Sequence, residues 1–252
     1  MDFSRDAALL LVGHGSSHYQ EAGRVLHAHA AALQAGGHFA ETAVGLLRGT
    51  PSVTDALAAL TARVVHVVPF FMEDGFFTRV AVPDALAQAE RRSNQTWLVC
   101  PPVGTHDGLA ALIAERVRRH CPDPAVWSVL LVGHGSTRAP GRRMALHRHQ
   151  ARLAATGQFA RVRLAFLEEP PLLPDVLAEL RGSHTAVIGF FAGEGRHVRD
   201  DLPRCMGAAR ASRDAQAPPL LDLGLISDEP GMRRIILELV GTGAESRVAD
   251  QG

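Results

Sequence analysis

Residues 129–140 read VLLVGHGSTRAP, and residues 9–20 read LLLVGHGSSHYQ. Seven of the eight positions of LLLVGHGS and VLLVGHGS are identical, and their histidines, His14 and His134, stand 120 residues apart. The same shift brings other segments into register without a gap. LLRGTPSVTDAL at 46–57 meets FLEEPPLLPDVL at 166–177, VVPFF at 67–71 meets VIGFF at 187–191, and Pro83 meets Pro203. A chance likeness of short motifs does not keep phase through the loops between them, so the chain is an internal duplication.

Each copy alternates strand and helix. A run such as LLLV, apolar at every position, marks a strand buried on both faces. The pattern predicts strands at 7–12, 42–47, 63–68 and 96–99, and helices at 17–33, 52–60, 80–91 and 108–120. In the second copy it predicts strands at 128–132, 160–166, 185–188 and 220–223, and helices at 142–156, 173–180, 198–212 and 230–240. The two prolines of CPDPAV, 121–126, break helix and sheet and make it the linker. The expected fold class is therefore α/β, as two tandem domains, 1–122 and 123–252, each a parallel, roughly four-stranded sheet flanked by helices. The polar tail after Gly241 is expected to fray.

Composition narrows the function. The 252 residues are 46% hydrophobic and 21% charged, ordinary for a globular protein. Lys and Arg total 26, as do Asp and Glu, so no global field draws the chain to nucleic acid or an anionic membrane. Three scattered cysteines make neither a disulfide framework nor a thiolate metal cage and read as reduced, buried thiols. No basic-then-apolar leader with a small-residue cleavage site opens the chain, and residues 9–12 are too short to span a bilayer, so a cytoplasmic protein is expected. The GHGS loops lack the lysine of a phosphate-binding loop, no GxGxxG follows the first strand, and no GxSxG elbow occurs. Nucleotide binding and serine hydrolysis thus have no support.

Ligands of open parallel sheets bind beyond the carboxyl ends of the strands. Both GHGS loops, both segments at 47–51 and 167–171, and both at 69–75 and 189–195 fall on that edge. In the second copy the edge offers His134, Glu168 with Glu169, and His197 within GEGRHVRDDLP. Two imidazoles and a carboxylate suit a borderline divalent metal and exchange protons near neutral pH. In the first copy the same register gives His14, Arg48 and Phe77. One competent site is expected, in the second copy. Of the thirteen histidines, His27 with His29 and His147 with His149 lie two apart on helices and cannot chelate together. They read as structural or solvated.

The strand-GHGS opening, the FLE segment after the second strand and the GxHVxxDLP segment after the third resemble the sirohydrochlorin chelatases, in a long form with two fused copies. These enzymes insert cobalt or iron into a reduced tetrapyrrole on the way to cobalamin or sirohaem. The resemblance implies that His134 and His197 bind the metal and accept protons, with Glu168 rather than Glu169 as the active-site carboxylate. Arg48 and Phe77 depart from the family pattern, which leaves His14 open as a substrate contact, an accessory metal site or a relic. The implied substrate carries eight carboxylates. Ser136, Arg138, Arg142, Arg143, Arg196 and Arg199 flank the histidine loops as candidates to hold it. The implied partners are this tetrapyrrole and Co2+, Fe2+ or Ni2+ as metal substrate, with no further cofactor, nucleic acid or membrane. A monomer imitating a two-subunit ancestor is expected. A non-catalytic metal or tetrapyrrole carrier and a metal-dependent hydrolase are the alternative readings.

Overall fold

The apolar run ahead of each GHGS becomes the central strand of a sheet. The structure, a computed structural model, describes residues 6–16, 23–90, 94–136 and 144–242, except for the side chain of His197. In the first repeat β1 (Ala7–Gly15), β2 (Glu41–Arg48), β3 (Val64–Pro69) and β4 (Thr96–Val99) form a parallel sheet in the order β2-β1-β3-β4. In the second, β5 (Trp127–Gly133), β6 (Arg161–Phe166), β7 (His184–Gly189) and β8 (Leu220–Leu225) repeat the order as β6-β5-β7-β8. The strand order reverses at β1 and at β5, whose neighbours lie one on each side. Each GHGS loop thus leaves its sheet where parallel sheets open a crevice.

The shift of 120 holds residue for residue in the backbone. Val12 pairs with Pro69 as Val132 pairs with Gly189, and Gly13 with Leu46 as Gly133 with Phe166. The amide of Phe70 donates to Val12 O at 2.7 Å, as that of Phe190 does to Val132 O at 2.7 Å. By the fourth strand Val65 pairs with Trp97 whereas Thr185 pairs with Leu220, so the shift there is 123.

The pleat divides the apolar runs between two helical layers. Ala8, Leu10 and Val12 point into a core with α2 (Val53–Ala59) and α3 (Val82–Ala87); Leu130 and Val132 do the same with α6 (Leu173–Glu179) and α7 (Leu202–Ala211). Leu9, Leu11, Val129 and Leu131 point to the opposite face and are equally sealed from water. Trimming any of these leucines to alanine costs about 2–5 kcal/mol.

The opposite layer departs from the repeat boundary. One compact unit runs to His106 and takes up the chain again from Pro230; the other is Asp107–Glu229. Helix α8 (Met232–Thr242) packs on β3 and on α1 (Arg24–Ala35) in the first unit, and α4 (Gly108–His120) packs on α5 (Met144–Ala155) and β8 in the second. The compact units thus differ from the segments 1–122 and 123–252 by one helix each. Charge fixes α4 in place. Arg152 Nη2 lies 2.6 Å from Asp107 Oδ2, Arg116 Nε 3.1 Å and Arg119 Nη2 2.5 Å from the buried Glu229 carboxylate, and Arg116 Nη1 donates to Leu225 O. Glu229 holds two guanidinium partners, which offsets the cost of taking its charge out of water.

The helices expected at 80–91 and 198–212 each open instead with a π-helical turn, Phe77–Ala81 and His197–Asp201. Pro83 and Pro203 stand in the first turn of the α-helices that follow. A proline there has no N–H to give to the carbonyl four residues back, and the turn before it widens, Val82 N–H donating to Phe77 O. The first helix begins at Arg24 rather than residue 17; positions 17–22 lie outside the described residues. Cys100 and Cys121 are buried and Cys205 half-buried, all as free thiols. Burial pushes the Cys100 thiol up to about 12, so no thiolate is on offer there at neutral pH. No helix among the described residues is long and apolar enough to cross a membrane.

Candidate functional site

The second unit's edge is built by glycine. Gly135 has φ +79°, and a Cβ there would meet Glu169 Cγ at 2.9 Å and Phe166 Cβ at 3.0 Å, so only glycine carries the chain past this point unstrained. The turn is locked to the neighbouring strand end, because the amides of Leu167 and Glu168 donate to His134 O at 3.2 and 3.0 Å. This places His134 and Glu168 side by side, with Nδ1 of the imidazole 3.7 Å from Oε2 of the carboxylate. Both side chains remain about two-fifths exposed, at 42% and 39%. A pair so open to water adds at most about 1 kcal/mol to stability, so its arrangement serves chemistry better than folding. Glu169, by contrast, is buried.

The tautomer of His134 follows from its partner. Nδ1 lies 2.8 Å from Gly135 O, and a carbonyl only accepts. Nδ1 therefore carries the proton, and in the neutral ring the lone pair sits on Nε2. A histidine fixed at Nδ1 by a carbonyl, with a carboxylate beside it, is the arrangement that makes an imidazole a directed metal ligand.

His197 opens the π turn at the end of the loop that leaves β7 beside the His134 loop. Arg199, within that turn, has its Nη2 3.2 Å from Glu194 Oε2. The same staple stands in the first unit, where Arg79 Nη2 lies 2.8 Å from Asp74 Oδ2, and the Arg79 bond holds the Asp74 carboxyl below the usual carboxylate range. Arg199 is thus engaged in spanning its loop. Arg196 is exposed and Ser136 half-buried at the rim of the GHGS turn. Arg138, Arg142 and Arg143 lie outside the described residues. Among the described residues no three His, Cys, Asp or Glu side chains group as a metal cage; the His197 side chain is not among them.

The first unit repeats the turn and changes its contents. Gly15 has φ +68°, and His14 Nδ1 lies 2.8 Å from Gly15 O, as in the second unit. Where the second unit has Glu168, Arg48 ends β2 in pairing with Gly15. Where it has His197, the ring of Phe77 meets that of His14 edge to face, centroids 4.6 Å apart and planes at 89°. His29 and His149, 120 residues apart, are the structural kind of the two kinds expected, buried against Phe70 at 5.7 Å and Phe190 at 5.6 Å. The acid–arginine staples were legible by the same shift.

The comparisons with known proteins agree with this architecture. Residues 8–120 and 128–241 each match the CbiX family. A protein of Halobacterium salinarum described as a probable sirohydrochlorin cobaltochelatase is 27% identical over 221 residues, 78% of this chain and 75% of that protein. A multi-domain protein of Deinococcus radiodurans with structural similarity to chelatases superposes with a TM-score of 0.82 at 27% identity, covering 95% of this chain. The chain spans 56% of that protein's length. The sirohydrochlorin chelatase SirB of Bacillus subtilis subspecies spizizenii, solved in complex with cobalt, superposes with a TM-score of 0.74 at 19% identity, covering 95% of both chains, a likeness of fold.

Proposed function

The chain belongs to the CbiX family of sirohydrochlorin chelatases, with two copies of its domain, and from that premise we propose that it inserts Co2+ or Fe2+ into sirohydrochlorin without a nucleotide, at the edge of its second unit. The product would feed cobalamin or sirohaem synthesis. The observation that carries the reading is the His134–Glu168 pair, 3.7 Å apart, at an edge where the first unit has no counterpart for the carboxylate.

Insertion exchanges two pyrrole protons for one dication. His134 offers Nε2 to the incoming metal while Gly135 O holds the ring by Nδ1. His134 and His197 together hold the dication weakly enough to release it to four macrocycle nitrogens. Once the metal has left for the macrocycle, His197 and Glu168 are the groups to take the displaced protons, one each.

The test is insertion of Co2+ into sirohydrochlorin by the purified chain, followed by absorbance. His134→Ala and His197→Ala are expected to lower the rate by about 100-fold or more, and His14→Ala by less than about 10-fold. Loss of activity in His14→Ala with His197→Ala still active would move the site to the first unit. Binding of metal and macrocycle with no acceleration over the uncatalysed reaction would make the protein a carrier.

A further inference from the structure

The two replacements in the first unit share a direction. Arg48 puts a fixed cation where the second unit has a carboxylate, and a guanidinium repels a dication while pairing with carboxylates. Phe77 puts an aromatic ring where the second unit has an imidazole. The ring is held in place from three sides: edge to face on His14, stacked on the buried Phe71 at 5.7 Å with planes 12° apart, and edge to face with Phe76 at 5.6 Å. Even so, Phe77 remains 38% exposed, Phe76 67% and Val80, on the same turn, 41%. Large apolar side chains left in water are otherwise few in the described structure, and three of them stand together here. Folding does not require this, since the second unit builds the same π turn with polar residues. A pre-ordered aromatic patch resting on His14, at an edge where the next residue of that loop, Gly15, pairs with the exposed Arg48, is a binding surface for a flat ring with an anionic rim.

We infer that the carboxyl edge of the first unit's sheet binds the face of a planar, carboxylate-bearing tetrapyrrole, with Phe76 and Phe77 under the ring and Arg48 on a rim carboxylate. The inference rests on the chelatase reading for the identity of the ring and adds a role for the edge that lacks the second histidine. His14 is then part of the platform, its imidazole buttressing Phe77 rather than holding metal.

The experiment titrates the full chain with metal-free sirohydrochlorin, and with metal-free uroporphyrin as a second flat octacarboxylate, following the macrocycle's fluorescence. A parallel titration with Co2+ alone follows metal binding. Phe76→Ala removes a side chain two-thirds in water, and Arg48→Glu reverses an exposed charge, so neither endangers the fold. Phe76→Ala is expected to weaken macrocycle binding about 3- to 10-fold, and Arg48→Glu about 10-fold or more. Co2+ binding stays as in the wild type. Wild-type macrocycle affinity in both variants, with the wild-type chain still inserting Co2+, overturns this inference and leaves the chelatase reading standing. An equal loss of Co2+ binding also overturns it, since the residues would then act on the whole molecule. A wild-type chain that binds neither macrocycle overturns both.

Discussion

The two units trace one backbone and diverge where side chains meet the edge of the sheet. Strand pairings, the left-handed glycine after the histidine, the π turn and the acid–arginine staple recur at a shift of 120. Two edge positions do not: Glu168 is Arg48, and His197 is Phe77. The scaffold has thus been kept under the same physical constraints in both copies, while the residues that need no particular backbone were free to change. Duplication separates what a strand-end loop must be in order to fold from what it must carry in order to react.

The backbone half of that comparison breaks most visibly at the glycines. Gly15 and Gly135 share their positive φ, but their surroundings differ. A Cβ on Gly15 would sit 1.9 Å from Arg48 O, a backbone atom, whereas one on Gly135 first meets Glu169 Cγ at 2.9 Å. Alanine in the left-handed region costs about 1–2 kcal/mol by itself. Gly15→Ala must also push two strand ends apart, for a total of about 3 kcal/mol or more. Gly135→Ala is expected to cost about 2 kcal/mol, because part of its neighbour can rotate away. Urea unfolding of the two variants measures this; a larger loss for Gly135→Ala would mean that the two turns are not the same structure.

A smaller effect separates what the staples hold. Glu194 and Asp74 span equivalent loops, but one loop leads to His197 and the other to Phe77. Glu194→Gln is expected to reduce kcat for metal insertion about 3- to 10-fold with KM for the macrocycle little changed, since an unpinned imidazole is less often in place. Glu194→Asp, which supplies the acid used by the first unit, is expected to restore most of the rate. Asp74→Asn acts instead on macrocycle affinity, raising Kd about 3-fold. If both neutralised variants lowered kcat alike, the staples would be general props rather than positioning devices.

The repeat and the central strands were legible because burial on both faces leaves an unbroken apolar signature, and because duplication prints every constraint twice. The His134–Glu168 pair was legible for the same reason, as two residue types arriving at one sheet edge. The helix exchange was not. The apolar stripes of α4 and α8 say that one face of each is covered, but Leu112 or Ile236 carries no mark of which sheet covers it. That choice lies in long-range ion pairs such as Arg119 with Glu229, 110 positions apart, which no local pattern announces. The π turns were missed because helical periodicity survives a single widened turn; Pro83 and Pro203 were the available signal. Arg199 was legible as a cation beside a histidine loop but not as the partner of Glu194, because the pair is set by the path of the loop between them.

The smallest predicted difference lies within the sheets. His66 on β3 stands where the second unit has Ala186, fully buried on β7. The imidazole is half-buried, and burial holds its pKa below the ordinary 6.5. The folded state therefore keeps His66 neutral while the unfolded chain takes up a proton on acidification. Its stabilising effect is complete above about pH 6.5 and is lost as pH falls through the lower folded value. Replacing it with a residue that does not titrate removes this contribution, so the melting temperature of His66→Gln should fall less than that of the wild type between about pH 7.5 and pH 5, by about 1–3 °C. Identical slopes would show that the imidazole finds enough water in the folded protein to take its proton there.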